Sequence, residues 1–184
     1  MKTKPSASYQ LKKGCVQLYT GNGKGKTTAA FGLALRAAGA GLRVLIVQFL
    51  KGRVCSEHLL LEKLSPAITV NQCGGAHFIK GKPSSKDIAL ARGGFNDAQK
   101  SILMGRYDVV VFDEGATAVQ LGLIDLRDLL TVVDTKPHYV EVVITGRNAP
   151  RELIKRADLV TEMREVKHYF NKPHRLGARK GIEM

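Results

Sequence analysis

Tryptophan is absent from this chain of 184 residues, and aromatic residues make up only 6% of it. The few aromatics do not interleave with the basic residues, so the composition carries no signature of a nucleic-acid-binding module. No apolar run is long enough to cross a bilayer, and residues 1–13 lack the apolar segment of a secretory signal. We therefore expect a cytoplasmic protein with no membrane partner.

Cysteine is scarce as well. Cys15, Cys55 and Cys73 lie far apart, form no C-x-x-C pair and are odd in number. Reduced thiols in the cytosol account for this pattern most simply.

Acidic residues are fewer than basic ones, since the chain has 16 Asp and Glu and 29 Lys and Arg, and the formal net charge is +13. Such a balance favours an anionic partner. The basic residues are spread along the chain, with mild enrichment at its two ends. Composition alone leaves three explanations of this charge open. They are a surface that binds a triphosphate and a negatively charged small molecule, a surface that binds nucleic acid, and mere solubility. Because no binding signature accompanies the charge, we do not expect nucleic acid as a partner.

A glycine-rich segment, Thr20–Thr28 (TGNGKGKTT), directly follows the apolar run of residues 16–19. A strand, a glycine-rich turn and a helix form the context of a phosphate-binding P-loop, in which backbone N–H groups and the helix N-terminus surround phosphate oxygens. In this pattern a lysine reaches a phosphate and a hydroxyl ligates Mg²⁺. Thr20 stands where the usual pattern begins with glycine. A plain glycine-rich turn is the alternative. The candidate nucleotide-binding residues are Gly21, Asn22, Gly23, Lys24, Gly25, Lys26, Thr27 and Thr28.

Strands and helices alternate along the chain, which predicts an α/β fold with a doubly wound, mostly parallel sheet. We expect a single-domain, three-layer fold of the P-loop NTPase type. The predicted strands are Cys15–Thr20, Arg43–Phe49, Ala67–Asn71, Asp108–Asp113, Tyr139–Thr145 and Leu159–Thr161. Residues 1–13 are predicted to be a basic N-terminal arm, 14–166 the nucleotide-binding domain, and 167–184 an irregular basic segment that packs near the active site.

An acidic pair, Asp113 and Glu114, ends the apolar strand that follows Tyr107. We expect this strand beside the P-loop strand, where a Mg²⁺-organising acid belongs. Magnesium keeps several waters and takes only one or two carboxylates, so this pair suffices together with Thr27 and phosphate oxygens. An ordinary acidic turn at a strand end is the alternative. Together with the P-loop, the pair predicts a nucleoside triphosphate site with Mg²⁺.

Several stretches in one order resemble the P-loop corrinoid adenosyltransferases. They are Thr20–Thr28 with AAFG after it, RVLIVQFLK at 43–51, YDVVVFDE at 107–114, TGR at 145–147 with Ala149-Pro150, ADLVTEMREVK at 157–167, and Gly181-Ile182-Glu183. The resemblance implies transfer of the 5′-deoxyadenosyl group of ATP to the Co(I) of a corrinoid, either cobalamin or a precursor, with tripolyphosphate leaving. It implies that ATP is bound in a reversed sense, which opens the ribose C5′ to attack.

The same resemblance assigns roles to residues. Lys24, Lys26 and Arg147 would stabilise the leaving group, and Thr27, Asp113 and Glu114 would hold Mg²⁺. A structural role for a buried Arg147 at the sheet end is the alternative. A homodimer and a Co(II)-reducing flavoprotein or similar reductant are the expected partners.

The chain departs from the family pattern on the corrinoid side. The family carries Gly-x-Gly-Phe-Thr-Trp after the third strand, where this chain has Gly74-Gly75-Ala76-His77-Phe78-Ile79. His77, Phe78 and Ile79 are the candidate corrinoid-facing residues; His77 is either a cobalt ligand or a solvent-facing loop residue. After the acidic pair the family has Asn and Tyr, where this chain has Gly115-Ala116-Thr117. The altered loop over residues 74–79 leaves open a nucleotide-binding corrinoid carrier without efficient catalysis. The basic charge of the chain leaves open a P-loop ATPase that acts on nucleic acid.

Overall fold

A computed structural model describes residues 10–52, 54–75, 79, 81–171 and 175–183. The strands within these ranges are β1 (Val16–Thr20), β2 (Val44–Phe49), β3 (Ile68–Cys73), β4 (Val109–Asp113), β5 (Glu141–Thr145) and β6 (Leu159–Glu162). They form one sheet in the order β3-β2-β4-β5-β1-β6, and every pairing is parallel. The predicted α/β class is confirmed.

Six α-helices connect the strands in the described ranges. They are α1 (Lys26–Gly39), α2 (Ser56–Leu61, continued by a 3₁₀ turn over Glu62–Leu64), α3 (Ser85–Leu103), α4 (Gly115–Gln120), α5 (Leu126–Thr135) and α6 (Arg151–Arg156). Helices α3 and α5 have N-cap side chains, because Ser84 accepts a hydrogen bond from the N–H of Asp87 and Asp125 accepts one from the N–H of Arg127. Helix α4 was not predicted. None of the described helices combines the length and apolarity that a bilayer crossing requires.

The sheet is the middle of three layers. All residues of β2 and β4 are buried, as expected of parallel strands covered on both faces. Helices α1 and α2 cover one face, and α3, α4, α5 and α6 cover the other. Four residues of α3 at helical spacing, Ala91, Phe95, Ala98 and Ile102, are all buried in the core. The predicted three-layer fold is therefore present.

The strand that carries the acidic pair does not lie beside the P-loop strand, so that expectation is wrong. Strand β5 pairs with β1 on one side and β4 on the other. Because all three strands are parallel, their carboxyl ends still meet at one edge of the sheet. This edge is where ligands bind in open α/β sheets.

Candidate functional site

The P-loop lies between β1 and α1 and presses against the chain that follows β6. The N–H of Gly23 donates to the carbonyl oxygen of Met163 at 2.7 Å. Gly21 has φ +92°, and a Cβ there would lie 2.4 Å from the same Met163 oxygen. Only glycine meets both demands at position 21. The loop's conformation thus depends on the end of β6 as well as on its own sequence.

Lys26 is the first residue of α1, and its side chain turns back over the P-loop. Its ammonium group donates to the carbonyl oxygens of Gly21 at 2.7 Å and Gly23 at 2.8 Å, and the residue is 7% exposed. Burial lowers the pKa of Lys26; Glu114 and Asp113 act to raise that pKa, while Arg147 lowers it further. These two carbonyl oxygens take two of the three ammonium protons, and the third can be donated to an anionic ligand.

Asp113 ends β4, is wholly buried and accepts four hydrogen bonds. Its Oδ1 accepts from the hydroxyls of Thr27 and Thr145, each at 2.8 Å. Its Oδ2 accepts from the amide of Gln48 at 3.0 Å and from the ammonium group of Lys51 at 3.1 Å. Both oxygens are therefore held by donors from β2, α1, β5 and the loop after β2. Such a carboxylate orients the side chains that donate to it.

Glu114 begins α4 with a left-handed backbone, φ 58°. Its N–H donates to the hydroxyl of Thr145 at 2.9 Å, and its carboxylate accepts from the hydroxyl of Thr117 at 2.6 Å. The same Thr117 oxygen accepts from the N–H of Arg147 at 3.1 Å. Thr117, one of the departures from the family pattern, thus joins the acidic pair to the turn after β5.

Arg147 lies in that turn and is exposed. The premise of the structural alternative, a buried arginine, is therefore wrong. The turn projects the residue outward because Gly146, at φ +145°, packs its backbone against Thr117, where a Cβ would come within 2.6 Å of a main-chain nitrogen. An exposed guanidinium close enough to lower the pKa of Lys26 is available to an anionic ligand.

The donor set fits a magnesium ion bound mainly through water and phosphate. Thr27 gives its hydroxyl proton to Asp113, which leaves its oxygen lone pairs available to a cation. The described residues contain no cluster of three or more His, Cys, Asp or Glu side chains that could hold a metal by themselves. Magnesium does not require one, since it keeps several waters and takes one or two protein oxygens.

The C-terminal segment reaches the P-loop. The ammonium group of Lys24 donates to the carbonyl oxygen of Ile182 at 3.3 Å. Nearby, Glu183 accepts from Arg179 at 3.1 Å and from the hydroxyl of Tyr169, and these hydrogen bonds lower the pKa of Glu183 to about 2. The Arg179 guanidinium also lies 4.8 Å from the centre of the Tyr169 ring. A self-contained polar cluster thus places the end of the chain beside Lys24.

Among the predicted site residues, the structure brings Lys26, Thr27, Asp113, Glu114 and Arg147 together. Asn22 and Thr28 are exposed on the loop and the first turn of α1. Ile79 is half-buried against the core, and His77 and Phe78 lie outside the described residues. Sequence reasoning missed Gln48, Lys51 and Thr145. A buried glutamine within an otherwise apolar strand was the available signal for the first of these.

A sequence profile of the ATP:corrinoid adenosyltransferase BtuR/CobO/CobP family matches residues 12–184. The chain belongs to this family. A corrinoid adenosyltransferase of Escherichia coli K12 is 37% identical over 166 residues, which are 90% of this chain and 84% of that protein. One from a Sinorhizobium species is 36% identical over 174 residues, covering 93% and 80%. One from Salmonella typhimurium is 35% identical over 166 residues.

Among solved structures, the flagellar accessory protein FlaH of Methanocaldococcus jannaschii superposes with a TM-score of 0.54 over 83% of this chain and 72% of that one. At 15% identity this likeness shows the fold alone. Membership of the adenosyltransferase family confirms the resemblance seen in the sequence. It also makes the protein a transferase whose family acts on ATP and a corrinoid.

Proposed function

We propose that this adenosyltransferase moves the 5′-deoxyadenosyl group of ATP onto the Co(I) of a corrinoid, cobalamin or a precursor, and releases tripolyphosphate. The cobalt electron pair forms the Co–C bond to C5′ as the C5′–O bond breaks. The leaving oxygen keeps the electron pair of that bond, and cobalt goes formally from Co(I) to Co(III). The observation that carries the proposal is that Lys26, Thr27 and Asp113 lie together at the carboxyl edge of the sheet. Thr27 donates a hydrogen bond to Asp113, and Asp113 is close enough to Lys26 to act on its pKa.

No protein nucleophile or general base is required, because cobalt supplies the electrons and no proton is removed. The site agrees with this, since both oxygens of Asp113 are already occupied by donors. The chain's contribution is to bind, align and neutralise the triphosphate. Lys26, Lys24 and Arg147 supply positive charge to the leaving group. A bound Mg²⁺ would add Lewis-acid charge there.

The magnesium site we propose uses Thr27 as a direct ligand and Asp113 as the group that orients it. Two observations support this division. The Thr27 hydroxyl is hydrogen-bonded to Asp113 at 2.8 Å, and the four donors on Asp113 leave its oxygens poorly placed for direct coordination. Glu114, held by Thr117 at the start of α4, would act on metal-bound water.

The corrinoid would lie on the side of residues 74–79, with a homodimer and a flavoprotein or similar reductant as partners. The chain has no tryptophan to press on the corrinoid, and Ile79 packs against the core. Aromatic rings supply the large apolar area that would displace a lower ligand from cobalt. We therefore expect slow use of Co(II) with a weak reductant and normal transfer once Co(I) is present.

The test is incubation with ATP, Mg²⁺ and chemically reduced cobalamin, with the adenosylated absorption spectrum as the readout. We expect turnover by the natural protein and loss of turnover in Lys26→Ala. Lys155→Ala is the matched control, because that lysine is exposed on α6. Corrinoid binding without turnover would show a carrier. ATP hydrolysis stimulated by nucleic acid, with no adenosylation, would show the third alternative.

A further inference from the structure

A row of buried polar side chains runs from α2 to the P-loop. The His58 ring lies between two partners, the N–H of Cys55 at 2.8 Å from Nδ1 and the Oε1 of Gln48 at 2.7 Å from Nε2. Gln48 in turn donates through Nε2 to Asp113 at 3.0 Å. His58 is 5% exposed, and Gln48 and Asp113 are wholly buried. The row therefore leads from α2, which lies beside the outermost strand β3, to the triphosphate site through buried side chains.

The groups at the two ends of this row fix which atoms along it donate hydrogen bonds and which accept them. A main-chain N–H can only donate, so Nδ1 of His58 must accept from Cys55 and the ring proton must sit on Nε2. That proton is donated to Oε1 of Gln48. The amide nitrogen of Gln48 then faces Asp113, whose carboxylate can only accept. A flipped Gln48 amide would set oxygen against carboxylate and amide hydrogen against ring hydrogen, so a single arrangement is stable.

We propose that His58 is a positioning residue for the triphosphate site and acts through Gln48 on Asp113. By fixing the amide of Gln48, His58 holds in place one of the four donors that set the plane of the Asp113 carboxylate. That plane decides whether Oδ1 receives the Thr27 proton and leaves the Thr27 lone pairs directed outward. The inference rests on the proposed function, because it gives His58 a purpose only where Thr27 meets Mg²⁺ and ATP.

The rival explanation is purely structural, since His58 is also the third residue of α2 and bonds the N–H of its N-cap residue, Cys55. Two substitutions separate the roles. The amide of His58→Asn lies near the position of Nδ1 and can still accept from Cys55, but it does not reach Gln48. The longer His58→Gln places its amide nitrogen near the position of Nε2 and keeps a donor for Gln48. A positioning role predicts that the glutamine variant is the milder of the two at the active site.

The measurements are calorimetric titration with ATP at fixed Mg²⁺ and the Mg²⁺ dependence of adenosylation. For His58→Asn we expect on the order of tenfold weaker MgATP binding, since one buried hydrogen bond is lost and its partner is left unpaired. For His58→Gln we expect affinity within about threefold of the natural protein. Asp125→Ala, which removes an exposed helix cap on α5, controls for a general loss of stability.

A double-mutant cycle with Gln48→Met tests the route of action. Methionine keeps the volume of the glutamine side chain and removes both hydrogen bonds. If His58 acts through Gln48, adding His58→Asn to Gln48→Met should weaken MgATP binding no further. Additive losses, or natural affinity in His58→Asn alone, would overturn the proposal. Affinity that follows melting temperature across all variants, Asp125→Ala included, would also overturn it.

A readout that needs no substrate is nitrogen NMR of the histidine ring. In the natural protein we expect His58 to be protonated on Nε2 and not on Nδ1. The opposite tautomer would contradict the direction of the row. Failure of the natural protein to bind MgATP would instead reject the proposed function, so the two failures are distinguishable.

Discussion

Asp113→Asn changes one atom at the most heavily bonded side chain of the site. An amide nitrogen at the Oδ2 position would face two further donors, Gln48 and Lys51, so the amide oxygen should take that side. The nitrogen then faces the hydroxyls of Thr27 and Thr145, which can rotate to accept from it. The fold should survive, but Thr27 would direct its proton, in place of its lone pairs, towards the metal.

The size of this effect follows from the loss of a charge-assisted hydrogen bond. Such bonds contribute about 1.5–3 kcal/mol, which corresponds to a roughly 10- to 100-fold rise in the Mg²⁺ concentration needed for half-maximal activity. Asp113→Ala is the contrasting variant. It leaves the ammonium group of Lys51 without its partner and should cost about 3 kcal/mol of folding free energy, near the low end for a broken buried pair because Lys51 is 30% exposed.

The assay is a magnesium titration of adenosylation at saturating ATP, with circular dichroism and thermal unfolding to confirm the fold. Thr27→Ser is the matched control, since it keeps the hydroxyl, and Thr27→Val removes the hydroxyl at nearly constant volume. If Asp113→Asn and Thr27→Val both show the magnesium dependence of the natural protein, the reasoning about Thr27 and Asp113 is refuted.

Three further predictions concern the loop and the core. Lys26→Ala should weaken MgATP binding by roughly 10- to 100-fold through loss of a charged phosphate contact, and unchanged affinity by calorimetry would reject the site. Gly21→Ala should lower the melting temperature and ATP affinity together, because its Cβ would meet Met163 in a strained backbone; natural values for both would contradict the loop geometry. Cys73 should resist iodoacetamide at pH 8 in the folded state, since burial raises the pKa of its thiol to about 11 and leaves about one thiol in a thousand as thiolate. Mass spectrometry that finds rapid labelling at Cys73 would contradict this.

The fold was largely readable from the sequence because local patterns and tertiary burial agree. The nearly continuous apolar runs of β2 and β4 are typical of strands covered on both faces of a sheet, and both strands are wholly buried. The observed strand ends differ from the predicted ones by one or two residues; β3, for example, was predicted to end at Asn71 and ends at Cys73. The order of strands was not readable, and β5 lies where β4 was expected, because parallel connections do not reveal which neighbours they skip.

The site was only partly readable, for a different reason. Motifs identified the residues that act through local sequence, such as Lys26 and Thr27. The donors that hold Asp113 come from separate elements, and only the folded sheet brings Gln48 and Thr145 within hydrogen-bond distance of it. Helix α4 was missed because Glu114 starts it from a left-handed backbone, which no periodic pattern announces.

The central claim is that this site transfers carbon from ATP and does not cleave its phosphates from one another. The most direct measurement is phosphorus NMR of a reaction with chemically generated cob(I)alamin, MgATP labelled with ¹³C at C5′, and the natural protein. We predict one equivalent of tripolyphosphate for each ¹³C5′–cobalt bond seen in the carbon spectrum. ADP and inorganic phosphate as the products, with no carbon–cobalt signal, would contradict the account.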